Sequence, residues 1–458
     1  WLADRFSVAA GGTSAKNYTI DIPDIVPTDS VRFGVSFASR SIGVPASFAV
    51  RVNNNLAQNI SLPAVSGGFL DNYATNVNSF FSVLPSSNSL QVNIQFLPGT
   101  GGGSLSAEGF LDKIECAATR VLRMNNSGAV GGSVGALFFR TTPQSIAAAA
   151  SAAFVIDAGG VSNFVNSIVF DVTDFTAPTK MEGSFSAGAV PEFVFNNNTS
   201  VAREYVAFTP AQVLVPASFA AAPNNNLHEL MAKASANYLI ITHPSLLAAA
   251  NKLAAFHTQN NEGITPLVVT TTQVYQAFGS GAPDITAIRD CIAAFARAYG
   301  PVGNSVGGAA GGAAAPKFYA LLFGASSYDY KNRITNNVNL VPGYQSSASL
   351  DPLSSYTSDD YFALLDSSAN IATEAQQFNN AATALSVNLG RIPAKNLAEA
   401  TTMVDKIINY HSAQSQGPWR LQQRFIADDK DFNLHVQDAE AVSAAAQKTN
   451  ALFNQQKI

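Results

Sequence analysis

The chain has 458 residues, a formal net charge of −5, and charged side chains at only 12% of its positions. That length exceeds one ordinary domain of roughly 100–200 residues, and the weakly acidic balance offers no positive field for phosphate, which sets aside nucleic acid and anionic membranes as partners. The two cysteines, Cys116 and Cys291, fall in different predicted domains, so no disulfide framework is expected, and the longest weakly polar stretch, Ile146 to Ile156, is mostly alanine and too short for a transmembrane segment.

Residues 1–124 read as a β-sandwich domain. Ser30–Phe37, Phe48–Val52 and Leu90–Phe96 alternate apolar with polar side chains, which places one face in a core and the other in water. Asn53-Asn-Asn55, Ser66-Gly-Gly68 and Gly99-Thr-Gly-Gly-Gly103 supply the turns. Residues 125–228 are expected to form a β-rich extension and linker. Within them, Phe164–Thr173 reads as a strand, Ala147–Ala153 as an alanine-rich interruption and Ala220–Asn226 as the linker.

Beyond 228 the hydrophobic period changes. Tyr238–His243 is a short, largely apolar strand ending in polar residues, and Pro244 opens a helix that places Leu246, Ala250, Leu253 and His257 on one face. Pro266–Thr270 is the next strand. Asp284 caps a helix to Tyr299 whose Ile285, Ile288, Ile292, Phe295 and Tyr299 recur helically, and Lys317–Phe323 is a third strand. Strands this continuously apolar imply a mostly parallel sheet covered on both faces. Gly303–Ala315 reads as a low-complexity surface insertion. Ala384–Leu389 is a further strand, followed by Gly390-Arg-Ile-Pro393 and a helix with Asn396 and Glu399 in capping positions and Leu397, Ala400, Val404 and Ile407 inward. This first α/β subdomain is assigned to 229–412. A second begins at 413–458, with strand Arg424–Ala427, helix Glu440–Phe453 and the approach to another strand at the C-terminus. Without an initiator methionine or export signal, and ending just inside that second unit, the chain reads as truncated.

Ligands of open parallel sheets bind beyond the carboxyl ends of the strands. The residues gathered there are His243, Thr271, Gly324, Arg391, Asp428 and Asp429. They include a base and two acids but no activated nucleophile. Cys291 lies on the apolar helix face and Cys116 alternates inward on a sandwich strand, so both read as core thiols. His243 reads as a strand-end structural residue, and His228, His257 and His411 as surface or helix-end ones. Asp359-Asp360 is either a calcium site, since hard cations take clustered carboxylates, or a solvated turn. Asp428-Asp429 either orients an imidazole or belongs to a plain loop. No cofactor is required by this reading. A nucleotide-dependent enzyme is disfavoured, because the glycine tract precedes a strand and opens no helix.

From Tyr238 onward the chain resembles the gingipain family of cysteine peptidases, and more closely its branch of surface sortases in the type IX secretion system. The segments carrying the resemblance are Tyr238–His243, Asp284–Arg289, Leu321–Gly324 with Ser327-Tyr-Asp329, Tyr344–Ser346, Ser358–Phe362, Gly390–Pro393, Asp405–Ile408 and Ala427–Asp429 with His435. Trp1, Gly109–Asp112 to Arg120 and Phe170–Asp174 are similar to the β-rich region that precedes the peptidase domain. The resemblance implies a caspase-like α/β domain whose catalytic histidine, in a Gly-His-Gly motif, and cysteine both come after the segment at which this chain stops. The acidic third member maps to Asp429, with Asp428 as fallback. Relatives often read Phe-Gly-Asp where this chain has Phe323-Gly324-Ala325. The implied whole protein cleaves C-terminal sorting signals from secreted cargo at the outer-membrane surface, alongside an outer-membrane secretion partner, and this portion alone is inactive. A non-catalytic surface or glycan-binding protein on the same scaffold is the alternative.

Overall fold

A computed structural model describes residues 4–8, 14–99, 107–124, 136–142, 146, 151–161, 163–186, 188–213, 225–232, 235–260, 263–299, 317–346, 348–365 and 385–458. The Gly303–Ala315 tract, Trp1 and most of the Gly99–Gly103 turn and the 220–226 linker lie outside them. The chain divides into two compact units, one of residues 1–221 with 348–355 and the other of residues 222–347 with 356–458.

The first unit opens with eight strands: β1 (Asp4–Ser7), β2 (Ala15–Asp21), β3 (Val31–Arg40), β4 (Ala46–Val52), β5 (Asn55–Leu62), β6 (Thr75–Val83), β7 (Ser89–Leu97) and β8 (Glu108–Ala117). They form two antiparallel sheets, ordered β1-β8-β3-β6 and β2-β7-β4-β5, as the alternation requires. The inward residues, among them Phe33, Phe37, Phe48, Ile94 and Phe96, share one core in which Phe37 stacks on Phe48 at 4.1 Å. Asn53 and Asn54 join β4 to β5 with φ of 49° and 67°, the doubly left-handed two-residue turn that matches strand twist and that asparagine tolerates.

Cys116 departs from the expected burial. It pairs with the buried Phe33 but lies one residue from the end of β8, and is exposed.

Seven more strands follow: β9 (Leu137–Arg140), β10 (Ser151–Asp157), β11 (Ile168–Asp171), β12 (Thr179–Lys180), β13 (Gly183–Ser186), β14 (Glu192–Asn198) and β15 (Glu204–Phe208). They make two sheets, β10-β14-β13 and β12-β11-β15-β9, around a core of their own that includes Ile156, Phe164, Val169, Phe195 and Tyr205. Two expectations are corrected here. Phe164–Asn166 is a 3₁₀ turn ahead of β11, begun by the left-handed Asn163, and Ser151–Ala153 belong to β10. Arg123 binds both Asp24 and Asp157 (2.7 and 2.8 Å), tying the two sandwiches of this unit together.

Asp171 is buried in the second sandwich. Desolvation pushes its pKa up, but hydrogen bonds from Thr173, Arg203 (2.7 Å) and Asn197 (3.1 Å) outweigh it and hold the carboxyl below its ordinary value. A depressed folded-state pKa stabilises above the unfolded value of about 4 and is lost as pH falls through the folded one. Asp171→Asn should therefore cost stability at neutral pH and flatten the acid limb of a Tm-against-pH curve; an unchanged acid limb would remove this role.

The second unit begins with α1 (Leu227–Ala232), then β16 (Tyr238–Thr242), α2 (Leu247–Asn260), β17 (Pro266–Thr270), α3 (Thr271–Phe278), α4 (Ile285–Tyr299) and β18 (Tyr319–Phe323). The short β19 (Tyr344–Gln345) and β20 (Thr357–Ser358) pair, and β21 (Asn388–Ile392) and α5 (Leu397–His411) follow. The main sheet is wholly parallel, ordered β17-β16-β18-β21. Alternation along β16 divides the core in two. Leu239 and Ile241 join Val274, Ile288 and Phe295 of α3 and α4, while Ile240 joins Leu253 of α2 and Val404 of α5. Both sheet faces are thus covered, as continuous apolar strands demand.

Three boundaries differ from expectation. Helix α3 was not anticipated, although Thr270 and Gln273 form a complete capping box. Strand β21 lies further along than Ala384–Leu389 and takes in Gly390, Arg391 and Ile392. In α5 the Asn396 cap is present, its side chain accepting from Glu399 N at 3.0 Å, but Leu397 is exposed.

The chain ends with β22 (Gln422–Phe425), α6 (Lys430–Thr449) and β23 (Asn454–Lys457), the two strands forming a separate parallel pair. β22 sits two residues earlier than expected, and α6 begins ten residues earlier than Glu440. Its first turns carry no inward apolar stripe to announce a helix.

Candidate functional site

The carboxyl ends of β16, β18 and β21 bring three of the expected residues to one crest. His243 follows β16 and caps the short 3₁₀ turn Pro244–Leu246, its Nδ1 accepting from Ser245 N at 3.2 Å and lying 2.8 Å from Ser245 Oγ. Burial lowers its pKa. The ring is a neutral cap, in line with a structural role. Thr271 is buried at the start of α3 and presents nothing to solvent.

Gly324 ends β18 with φ of 153°, and a Cβ there would meet Val341 Cγ2 at 2.8 Å, so only glycine fits. Its N–H donates to Ile392 O at 2.8 Å, and its carbonyl accepts from Arg391 Nη1 at 2.8 Å. Arg391 is the hub of the crest. Nε and Nη2 make a bidentate pair with Asp359 (2.7 and 2.8 Å), the second Nη1 hydrogen goes to Val341 O (2.7 Å), and the second Nη2 hydrogen points at Pro342 O (3.4 Å). A guanidinium has five donors, and all five are engaged. Arg391 therefore clamps the loop after β18 and the segment after β20 onto β21, and has no donor left for a ligand.

The same pairing bears on the calcium reading. Both Asp359 oxygens are taken by Arg391, and Asp360 lies in a 3₁₀ turn. Among the described residues no group of three or more His, Cys, Asp or Glu side chains is placed to hold a metal.

Asp428 and Asp429 are not on this crest. They follow β22 on the separate two-stranded sheet, both exposed. Asp428 Oδ1 accepts from Lys430 N at 3.3 Å; Asp429 immediately precedes α6 and makes no capping bond, which leaves its carboxylate open to solvent. Nothing in the sequence pattern marks Asp359 as the partner of Arg391. The two are 32 positions apart and meet only through the topology.

Neither cysteine is poised as a nucleophile. Cys291 is fully buried on α4, and desolvation pushes its thiol pKa far up; Cys116 is exposed, and partial desolvation raises its pKa also. A thiol-reactive disulfide should titrate one group in the native protein and two in denaturant, with Cys116 still gaining reactivity as pH rises above the range of an ordinary free thiol. Two fast thiols in the native state would overturn the burial of Cys291.

Comparison with known proteins bears out the family resemblance. Residues 231–458 match peptidase family C25. The crystal structure of dimeric latent PorU from Porphyromonas gingivalis superposes with a TM-score of 0.69 at 21% identity, covering 92% of this chain and 37% of that one. The chain thus spans a little over a third of the length of that relative, and the likeness shows a shared fold. TmCBM61 in complex with β-1,4-galactotriose (11% identity, 23% of this chain and 62% of that one) and a Paenibacillus sp. cycloisomaltooligosaccharide glucanotransferase (8%, 44% and 41%) reach TM-scores of only 0.16 and carry no argument. No curated protein sequence matches the chain.

Proposed function

Residues 231–458 form a domain of peptidase family C25, the gingipain family, and from that premise we propose that the chain is the front portion of a PorU-like cysteine peptidase acting on secreted proteins. One observation carries the reading: a fold shared with PorU across nearly the whole chain, sandwiches included, joined to a family match over its second half. In this proposal the sandwiches and the four-stranded parallel sheet are scaffold. The nucleophilic cysteine and its histidine belong to sequence beyond Ile458, and Asp429 at the start of α6 turns that histidine into the right tautomer, as acidic partners of imidazole do.

The substrate class we infer is cargo carrying a C-terminal sorting domain, cleaved and handed to a surface acceptor outside the outer membrane, next to an outer-membrane secretion partner. No metal takes part in the bond-breaking step, and any calcium would be structural. The test uses the whole protein with a cargo protein bearing its C-terminal domain, read by intact-mass spectrometry. The expected result is release of that domain, abolished by iodoacetamide. The 458-residue chain alone should release none, and release by the chain alone would overturn the division of labour. Cargo left intact by active whole protein, with a glycan bound instead, would favour the non-catalytic alternative.

A further inference from the structure

Strand β21 is an edge of the main sheet among the described residues, where it pairs only with β18. Asn388 N donates to Phe318 O, and Ile392 O accepts from Gly324 N, so by alternation the main chain of Asn388, Gly390 and Ile392 faces β18. The N–H and C=O groups of Leu389 and Arg391 face the open side, a row of donors and acceptors that no described residue meets. Beside this edge, between β21 and α5, runs a groove of about 380 Å³. Its walls are Ile392, Pro393, Met403 and Ile407, with Lys406 and Tyr410 at the rim.

Three features say what fits. An unpaired edge is met by extended backbone, which adds a strand and places alternate side chains over one face. Gly390 shares its face with Ile392, which lines the groove, and leaves room beside it, since a Cβ there would meet only Leu321 Cδ1 at 3.9 Å. The charge at the rim is positive and unmatched. Asp405 is paired with Lys252, Asp359 is held by Arg391, and Glu399 is occupied with the Asn396 cap, whereas Lys406 has no acidic partner among the described residues. Arg420 adds a second cation, stacked 4.1 Å from the ring centre of Tyr410.

We propose that the β21 edge and its groove receive an extended peptide strand of another protein, apolar at alternate positions and acidic on that same face where the apolar run ends. The apolar side chains enter the groove, the backbone pairs with Leu389 and Arg391, and a carboxylate meets Lys406. This does not depend on the peptidase reading.

The test is fluorescence anisotropy with a labelled decapeptide in which valine alternates with threonine and glutamate replaces the last valine. Saturable binding is expected, weakened by added salt. Lys406→Glu, at an exposed position, should weaken it about tenfold, and Gly390→Val, whose side chain would stand in the groove, should abolish it. The same decapeptide with lysine in place of that glutamate should bind Lys406→Glu better than the parent chain, and the glutamate decapeptide N-methylated at alternate residues should not bind. Absence of binding, or equal binding by the parent and both variants, overturns the proposal. So does concentration-dependent self-association that Gly390→Val removes, which would give the groove to a second copy of the chain.

Discussion

Arg391→Ala should lower the unfolding free energy of the second unit by about 3–5 kcal/mol, the cost typical of removing one partner from a buried ion pair. The side chains of Arg391 and Asp359 are only 11% and 30% exposed, so solvent screens the pair weakly. Truncation also strands the Gly324, Val341 and Pro342 carbonyls that the guanidinium serves. Arg391→Lys should recover less than half of the loss, because an ammonium group supplies three hydrogens from one point and cannot span Asp359 and two loops together. Urea denaturation measures both, with Arg424→Ala as the control on an exposed arginine. A loss no greater than the control's would show that the clamp contributes nothing and return Arg391 to the list of ligand-binding candidates.

On the proposed peptidase function, Asp429→Ala in the whole protein should reduce kcat by about 10²–10⁴-fold with KM changed little, because an acid that orients an imidazole acts mainly in the transition state. Removing a carboxylate beside an imidazolium also lowers the histidine pKa, which moves the acid limb of the rate profile to lower pH. That shift separates orientation from a merely structural role. Asp428→Ala should stay within about threefold, since its carboxylate already serves Lys430 N. The reverse ranking would pass the role to Asp428, and two active variants would remove acidic orientation from this loop.

Much of the fold was legible because its cores write themselves into the chain. β3, β4 and β7 alternate across a sandwich, β16 to β18 are apolar on both faces, and the Asn396 cap marks the start of α5. Legibility failed where the burial that produces a pattern is missing. Nearly all of α6 is exposed and Ser443 is its one buried residue among those described, so its first turns, Lys430 to Asp438, carry no stripe. β21 was displaced because Ala384–Leu389 is as apolar as the true strand, and edge pairing leaves no trace in composition. Cys116 shows the complementary limit: alternation gives the side a residue faces but not whether a position next to the strand's end is covered. At the site, proximity to the crest was readable for His243, Gly324 and Arg391. The pairing of Arg391 with Asp359 was not, because it depends on how the loops after β18 and β20 come to rest.

The edge position of β21 leaves a signature in the time domain. Its amides alternate between bonded and open, so in deuterated water those of Leu389 and Arg391 should exchange at nearly the rate of free peptide while those of Asn388, Gly390 and Ile392 wait for the sheet to open. One five-residue strand would then hold two clocks, the slow one recording the stability of the parallel sheet and the fast one whether anything has come to lie along its rim.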